Sequence, residues 1–532
     1  MKKILIMMMV IAFFVLFSAC QTDTTTSKTT SSSTQTTTQT TQTSTATQTE
    51  TTVSSTETTE LSKLDIVGLV GVLDNIITFS SVENAQKYRI YIYGEDDVLL
   101  GEYNITNGFN LALLLGVGTY KFQIKAMSPG FIDSDLTVID EFQIVDLLAI
   151  NVLEGSQMNN HQYIRWLGRN YYNEVEEVKY FYFTASGFEV AFYGTELKAV
   201  LKASNYNVYG KQPHLVVLID GEDDSTKGSL IVLDQAEGEY TLVEGLEEGY
   251  HTVKLLKRSE AIDSNTALKS LSTDGTFTNP PQPKSFSIQF IAASSSTGYG
   301  NLGTLQDSKT TANSDGLNAF AYLTTFMLDA EISIFSASGW GVSRGYNTPG
   351  FSHNPSFGGI SEVENIPNAF EYVAIDASNR VLTALGKWDI SNFIPDVIVV
   401  NLGTNDFNAS SYRTMSTEDK TALEDRFKAD YVDFLVLLNN MYPNAKIIVA
   451  YGLMNEQGLL EAITLEIINL ANSEIGQTVV FAFEMEGAGT NSNPYGANYH
   501  PNVQTSINVA RDLADYIHEL TGREIVRNIY DE

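Results

Sequence analysis

The sequence predicts a multidomain chain: two antiparallel β-sandwiches, then a C-terminal α/β unit built on a parallel sheet. Three observations predict this. The chain has 532 residues, too many for one ordinary domain. Between residues 61 and 283 its apolar side chains recur with period two. Beyond 283, short and continuously apolar runs alternate with helical stretches.

Lys2 and Lys3 precede an apolar run from Ile4 to Phe17, followed by Ser18, Ala19 and Cys20. A basic start, a short apolar core and small residues before a cut read as a signal peptide over residues 1–20. The run is shorter than the roughly 20 residues a membrane-spanning helix needs. Leu16 to Cys20 resembles a bacterial lipobox, with Phe17 where that pattern usually has Leu. The resemblance implies a lipoprotein. Cys20 would carry lipid and hold the chain at the extracellular face of the cell membrane. Cys20 is also the sole cysteine, so no intramolecular disulfide can form. Residues 21–60 are almost all Thr, Ser and Gln, a composition that cannot offset chain entropy by burial. A disordered stalk is expected there.

Over 61–147, Tyr88, Ile90 and Ile92 alternate with Arg89, Tyr91 and Tyr93. Tyr120, Phe122, Ile124 and Ala126 alternate with Lys121, Gln123 and Lys125. Such runs, split by Gly and Asn turns, predict an antiparallel sandwich. Its layout loosely resembles a fibronectin type III module, and no site is visible in it. Over 148–283, Phe188, Val190 and Phe192 alternate, and "HLVVLIDG" and "GYHTVKLLKRSEA" read as further strands. These predict a second sandwich.

Over 284–532, "SFSIQFIA", "EISIFSAS", "PDVIVVNLG", "AKIIVAYG" and "TVVFAF" read as strands, with helices expected over 313–329, 417–441, 457–473 and 503–520. Continuously apolar strands separated by helices imply a parallel sheet covered on both faces, with sites at the carboxyl ends of strands. Formal charge is −32, from 64 acidic and 32 basic residues, which disfavours nucleic acid as a partner. The "GEDD" runs read as solvated turns. No His-Glu-x-x-His and no Cys/His cluster is present, so neither a metal nor another cofactor is called for.

Four polar clusters follow these strands: Ser294–Ser296, Ser338-Gly339-Trp340-Gly341, Gly403-Thr404-Asn405-Asp406 and His500-Pro501-Asn502. A serine hydroxyl becomes nucleophilic when a neutral imidazole takes its proton. Of 6 histidines, His161, His214 and His251 fall in the sandwich. His353 falls in a loop and His518 on the outer face of the last helix. His500 remains.

As a set, these blocks resemble the SGNH hydrolase superfamily, and more closely carbohydrate esterase family 2. "FIAASSSTGYG" aligns with that family's first block through Gly298-Tyr299-Gly300, which puts the nucleophile on Ser294. "SGWG" supplies Gly339, "PDVIVVNLGTND" supplies Asn405, and "HPN" supplies His500. "GRN", "FYGTEL", "LIDG" and "HTVKLLKRSEA" resemble the family's N-terminal jelly roll. The resemblance spans roughly residues 150 to 525. It implies a flavodoxin-like hydrolase domain with Ser294 and His500 as catalytic residues. The oxyanion hole would be made by Ser294, Gly339 and Asn405. Tyr299, Trp340, Phe407 and Tyr499 are candidates for stacking on sugar rings, and core packing is the alternative for each. Ser295 and Ser296 are expected to be structural.

Two departures stand out. The family's Gly-Asp before the nucleophile is Ala292-Ala293, and the usual Asp before the His is Asn498. Asn498 is taken as the catalytic orienting residue, able to accept from the ring through its amide oxygen; the resemblance also allows a Ser–His dyad oriented by a backbone carbonyl. Glu484 and Glu486 are remote candidates for a replacement acid. On this reading Asn498→Asp would raise turnover. The implied function is an extracellular O-acetyl esterase acting on acetylated polysaccharide or oligosaccharide through an acetyl-enzyme. The alternatives are a catalytically weakened sugar-binding lipoprotein and a surface adhesin.

Overall fold

The computed structural model describes residues 62–529, apart from 74, 95–96, 130, 145–149, 160, 347–364, 408 and 455–456. Cys20, the expected signal and stalk segments, and His353 lie outside the described residues.

Period-two patterning becomes sheet as expected. Leu99–Ile105, Lys87–Tyr93, Gly118–Met127 and Thr137–Ile144 form a four-stranded antiparallel sheet in that order. Ile90 faces Ile124 and Ile92 faces Phe122 across it, and all four are fully buried. A hairpin of Gly71–Leu73 and Ile76–Thr78 closes this core with Ile77 and Phe79.

The second sandwich has two antiparallel sheets, six-stranded among the described residues. The inward residues of Gly187–Gly194 (Phe188, Val190, Phe192) meet Leu197, Ala199 and Leu201 of Leu197–Ala203 in one core. The strand Gly187–Gly194 is buried on its other face too. There Glu189 is paired with Arg165, which also reaches Glu331 at 2.7 Å in the C-terminal unit.

In that unit five strands, β1 (Ser287–Ala292), β2 (Glu331–Ser336), β3 (Val397–Asn401), β4 (Lys446–Tyr451) and β5 (Val480–Glu484), form a parallel sheet. Their order is β2-β1-β3-β4-β5, and the expected apolar runs match them. The α-helices of this unit, among the described residues, are α1 (Phe320–Met327), α2 (Ile366–Phe370), α3 (Ala409–Thr414), α4 (Thr417–Met441), α5 (Gln457–Ile475) and α6 (Val503–Thr521). Alternate strand residues serve opposite faces. Ile291, Ile398 and Ile447 pack under α4 and α5, while Phe290, Val399 and Ile448 pack under α1 and α6. Both faces are covered, so the strands read as unbroken apolar runs.

The helix expected over 313–329 is shorter. Only Phe320–Met327 is α-helical, preceded by a 3₁₀ turn over Gly316–Asn318. The side chains before it are used otherwise. Asp315 caps the turn, and Asn301 donates to the Asp315 carbonyl at 2.9 Å. Gly316 sits so close to the sandwich that a Cβ would meet Thr184 at 2.1 Å.

One "GEDD" run also departs from expectation. Asp223 is not a solvated turn residue but a buried hub between sandwich and sheet unit. It meets Lys254 at 2.5 Å, Lys284 at 2.8 Å and Arg527 at 3.2 Å. Burial alone would raise its pKa, but Lys254 and Lys284 outweigh that and hold it at about 2. A depressed carboxylate stabilises the fold above its unfolded pKa of about 4, and loses that contribution as pH falls toward 2. Asp223→Asn removes the carboxylate shared by three cations, which keep Glu189 (3.7 Å) and Asp329 (2.9 and 3.0 Å) as second partners. It should cost about 2–3 kcal/mol at pH 7. Urea denaturation of the variant reads this directly; an unchanged midpoint would contradict it.

Candidate active site

The sheet order reverses direction at β1, so a crevice opens where β1 lies between β2 and β3. Ser294 follows β1, Gly339 follows β2 and Asn405 follows β3. Three of the sequence-predicted residues therefore arise from adjacent strand ends.

Ser294 opens a single 3₁₀ turn, Ser294–Thr297. The other hydroxyls of the turn serve structure. Ser296 donates to the Ala293 carbonyl at 3.0 Å, and Thr297 to the Ser294 carbonyl at 2.8 Å. Ser295 donates to Asn401 Oδ1 at 2.9 Å, and Asn401 in turn donates to the Ala450 carbonyl at 2.9 Å. Ala292 and Ala293, where the resembling pattern has Gly-Asp, are buried in the core. The turn is tied to β3 and β4 through Ser295 rather than through a carboxylate.

The turn ends on Gly298 at φ +67, where a Cβ would meet the Asp315 carbonyl at 2.0 Å. Two residues on, Gly300 has φ +59, and a Cβ there would lie 2.5 Å from the Ala497 Cβ. Its carbonyl accepts from the Ala497 amide at 2.9 Å. This contact lays the 495–501 loop against the serine turn. The loop then folds back: Gly496 donates to the His500 carbonyl at 2.7 Å, and His500 to the Ala497 carbonyl at 3.0 Å. Asn498 and Tyr499 are both left-handed, at φ 50 and 63.

His500 Nε2 lies 2.8 Å from Ser294 Oγ, and its Nδ1 lies 3.0 Å from the main-chain carbonyl of Asn498. A carbonyl can only accept, so Nδ1 carries the proton and Nε2 presents its lone pair to the hydroxyl. The expected acceptor was the Asn498 side chain. That amide turns away and donates to the Tyr299 hydroxyl at 3.4 Å, because the left-handed backbone points the carbonyl, not the side chain, at the ring. The ground for a gain in Asn498→Asp is thereby removed. Glu484 and Glu486 are exposed, and the Nδ1 position is already filled.

Of the aromatic candidates, two are corrected. Trp340 is buried, with its indole N–H on Asn379 Oδ1 at 2.8 Å. Phe407 is fully buried between Tyr412 and Phe427. Both belong to the same core cluster under α4, so neither reaches solvent. Tyr299 stacks on the His500 ring at 4.0 Å, with Lys309 Nζ 5.6 Å from its centroid. Tyr499 is 63% exposed and meets Tyr495 edge-on at 5.5 Å.

The Gly339 segment is fixed by residues that sequence reasoning missed. Asp406, fully buried, accepts from the amides of Val342 (2.9 Å), Ser343 (2.7 Å) and Arg344 (3.1 Å). Burial pushes its pKa up to about 6 against those amide donors. Asn405 Nδ2 donates to the Trp340 carbonyl at 2.8 Å, which uses one of its two hydrogens. Gly339 itself is at φ +85. Ser338 donates to Glu260, which comes from the sandwich. Asp406 and Glu260 both lie in blocks quoted from the sequence, Gly403-Thr404-Asn405-Asp406 and "HTVKLLKRSEA", but neither was assigned a role there.

Burial holds the His500 pKa down to about 4, although the Asn498 carbonyl and Glu260 pull it upward. The ring is therefore neutral, and able to take a proton, well below the ordinary histidine pKa near 6.5. Its folded-state value lies below the unfolded one. The stability tied to it is complete above about 6.5 and is lost as pH falls through about 4. An NMR titration of His500 should give a midpoint near 4; one at or above 6.5 would contradict the half-buried, desolvated ring held by a carbonyl.

Residues 166–281 match the family model described as carbohydrate esterase 2 N-terminal. Over 347 residues the chain is 27% identical to the cellulase/esterase CelE of Acetivibrio thermocellus. That match covers 64% of this chain but only 37% of the longer relative. An acetylxylan esterase / glucomannan deacetylase of Cellvibrio japonicus is 24% identical over 284 residues, covering 53% of this chain and 72% of that protein. Among solved structures, a family two carbohydrate esterase from Clostridium thermocellum in complex with cellohexaose superposes with a TM-score of 0.56 at 25% identity. It covers 68% of this chain and 100% of its own. In its parallel-sheet fold and by these matches, the chain is similar to the family 2 carbohydrate esterases.

Proposed function

We propose that the protein is a carbohydrate O-acetyl esterase that removes acetyl groups from polysaccharide through an acetyl-serine intermediate. The observation that carries this reading is the 2.8 Å contact of Ser294 Oγ with a His500 ring whose other nitrogen is held by a carbonyl. As Oγ attacks the acetyl carbonyl, Nε2 takes its proton. Negative charge develops on the former carbonyl oxygen, and the Ser294 and Gly339 amides with the second Asn405 amide hydrogen are the donors assigned to it. His500 then returns the proton to the departing sugar oxygen. In the second half, water replaces the sugar and attacks the acetyl carbonyl as His500 takes its proton; the Ser294 Oγ–acetyl bond then breaks, His500 returns that proton to Oγ, and the released acetic acid ionises to acetate. Tyr499 supports a sugar surface at the mouth of the site.

The names of the relatives support the substrate class: one is an acetylxylan esterase / glucomannan deacetylase. The lipobox-like end at Leu16 to Cys20 supports lipid-anchored display outside the cell. A second reading, sugar binding with weakened catalysis, is favoured by one observation: a neutral carbonyl stabilises imidazolium less than a carboxylate does.

Acetate release from acetylated xylan or glucomannan and from p-nitrophenyl acetate tests these readings. Ser294→Ala should lower turnover by at least about 10³, since nucleophile and base act as one unit. Asn498→Asp should leave turnover no higher than wild type, because its side chain faces Tyr299. Glycan binding without any release by the wild type would favour the second reading.

A further inference from the structure

Glu260 belongs to the sandwich yet ends beside the oxyanion segment. It follows the strand Gly249–Lys257 and is 2% exposed. The Ser338 hydroxyl lies 2.9 Å from one carboxylate oxygen and 2.7 Å from the other, and the Ser338 amide donates at 3.2 Å. Lys309 Nζ pairs with the same carboxylate at 2.9 Å and also with Asp263. The loop bearing Glu260 is itself anchored by buried Lys257, whose ammonium donates to the carbonyls of Tyr182 (2.7 Å) and Glu260 (3.2 Å).

Ser338 directly precedes Gly339. The segment is therefore gripped on both sides: at 338 by Glu260, and at 342–344 by Asp406. Between the two grips lie Gly339 and Trp340, the second holding Asn405 through its carbonyl. Desolvation opposes the Glu260 charge, but Lys309 and the Ser338 donors outweigh it and keep the carboxylate ionised. Lys309 also lies against the Tyr299 ring that stacks on His500, so one ion cluster touches the oxyanion side and the base side together. An inter-domain ion pair alone would need Lys309 and no serine hydroxyl.

We infer that Glu260 is a positioning residue for the esterase site: its carboxylate holds Ser338 so that the Gly339 N–H faces the oxyanion formed at Ser294. This rests on the esterase reading above. The sandwich thereby completes the catalytic geometry rather than only presenting sugar.

The test compares wild type, Ser338→Ala, Ser338→Thr, Glu260→Gln and the Ser338→Ala/Glu260→Gln double variant. It measures kcat and KM for p-nitrophenyl acetate and acetylated xylan, with melting temperature as the check on folding. Losing an oxyanion donor outright costs about 10²–10³, so a mispositioned one should lower kcat by about ten- to a hundredfold with KM little changed. Ser338→Thr keeps the hydroxyl and should retain kcat. The double variant should be no slower than the slower single one, because both remove the same contact. If Glu260→Gln does not fold, the Ala/Thr contrast at 338 still decides. An active wild type with an unimpaired Ser338→Ala, a loss confined to KM, or a Ser338→Thr as slow as Ser338→Ala would overturn this inference alone. A wild type that releases no acetate would overturn the esterase reading and this inference with it.

Discussion

The close approach of Gly300 to Ala497 is the constraint on which the rest depends. It brings a loop near the chain's end against a turn near its middle, at a distance that excludes any side chain at position 300. From that contact the loop can double back only through two left-handed residues, Asn498 and Tyr499. Such a backbone costs roughly 1–2 kcal/mol per non-glycine residue. Strain of this kind persists where its surroundings over-determine it. What it secures is the aim of one carbonyl at His500 Nδ1.

Orientation by a carbonyl divides two roles that a carboxylate combines. In a serine protease with an Asp-His-Ser triad, replacing the orienting Asp by Asn lowers turnover by about 10⁴, because the amide N–H selects the wrong tautomer. A main-chain carbonyl cannot make that error. What it lacks is charge; desolvation, which the Asn498 carbonyl and Glu260 only partly offset, sets the depressed His500 pKa. On the proposed esterase reading, His500 is a correctly aimed but weak base, and preorganised donors at the oxyanion would carry much of the catalysis. That places weight on the Ser338–Arg344 segment, which Asp406 and Glu260 hold from opposite sides.

Much of the fold was legible because burial writes itself into pattern. A strand covered on both faces has no polar alternation, and all five sheet strands fall on such runs. The long helices α4, α5 and α6 were legible for the same reason, from apolar side chains recurring at helical spacing. Ser294, His500, Gly339 and Asn405 were legible from local blocks. What was illegible depends on tertiary geometry. Whether Asn498 offers its side chain or its backbone turns on one φ value. Whether Trp340 and Phe407 stack on sugar or join the core depends on what lies above them. Glu260 and Ser338 each fall in a quoted block, but nothing in either block says that the two pair across 78 residues. The polar stretch before α1 reads as helix because its interface with Thr184 and Asn301 is invisible in one dimension.

Activation of Ser294 by a His500 ring that burial keeps neutral and a carbonyl aims is the central claim. Covalent labelling by a fluorophosphonate tests it most directly, with peptide mapping and the rate followed against pH. One phosphonyl adduct is expected, on Ser294. Its rate should rise through a group with a pKa near 4 and collapse in His500→Ala. Labelling at another serine, or a rate set by a group at 6.5 or above, would contradict it.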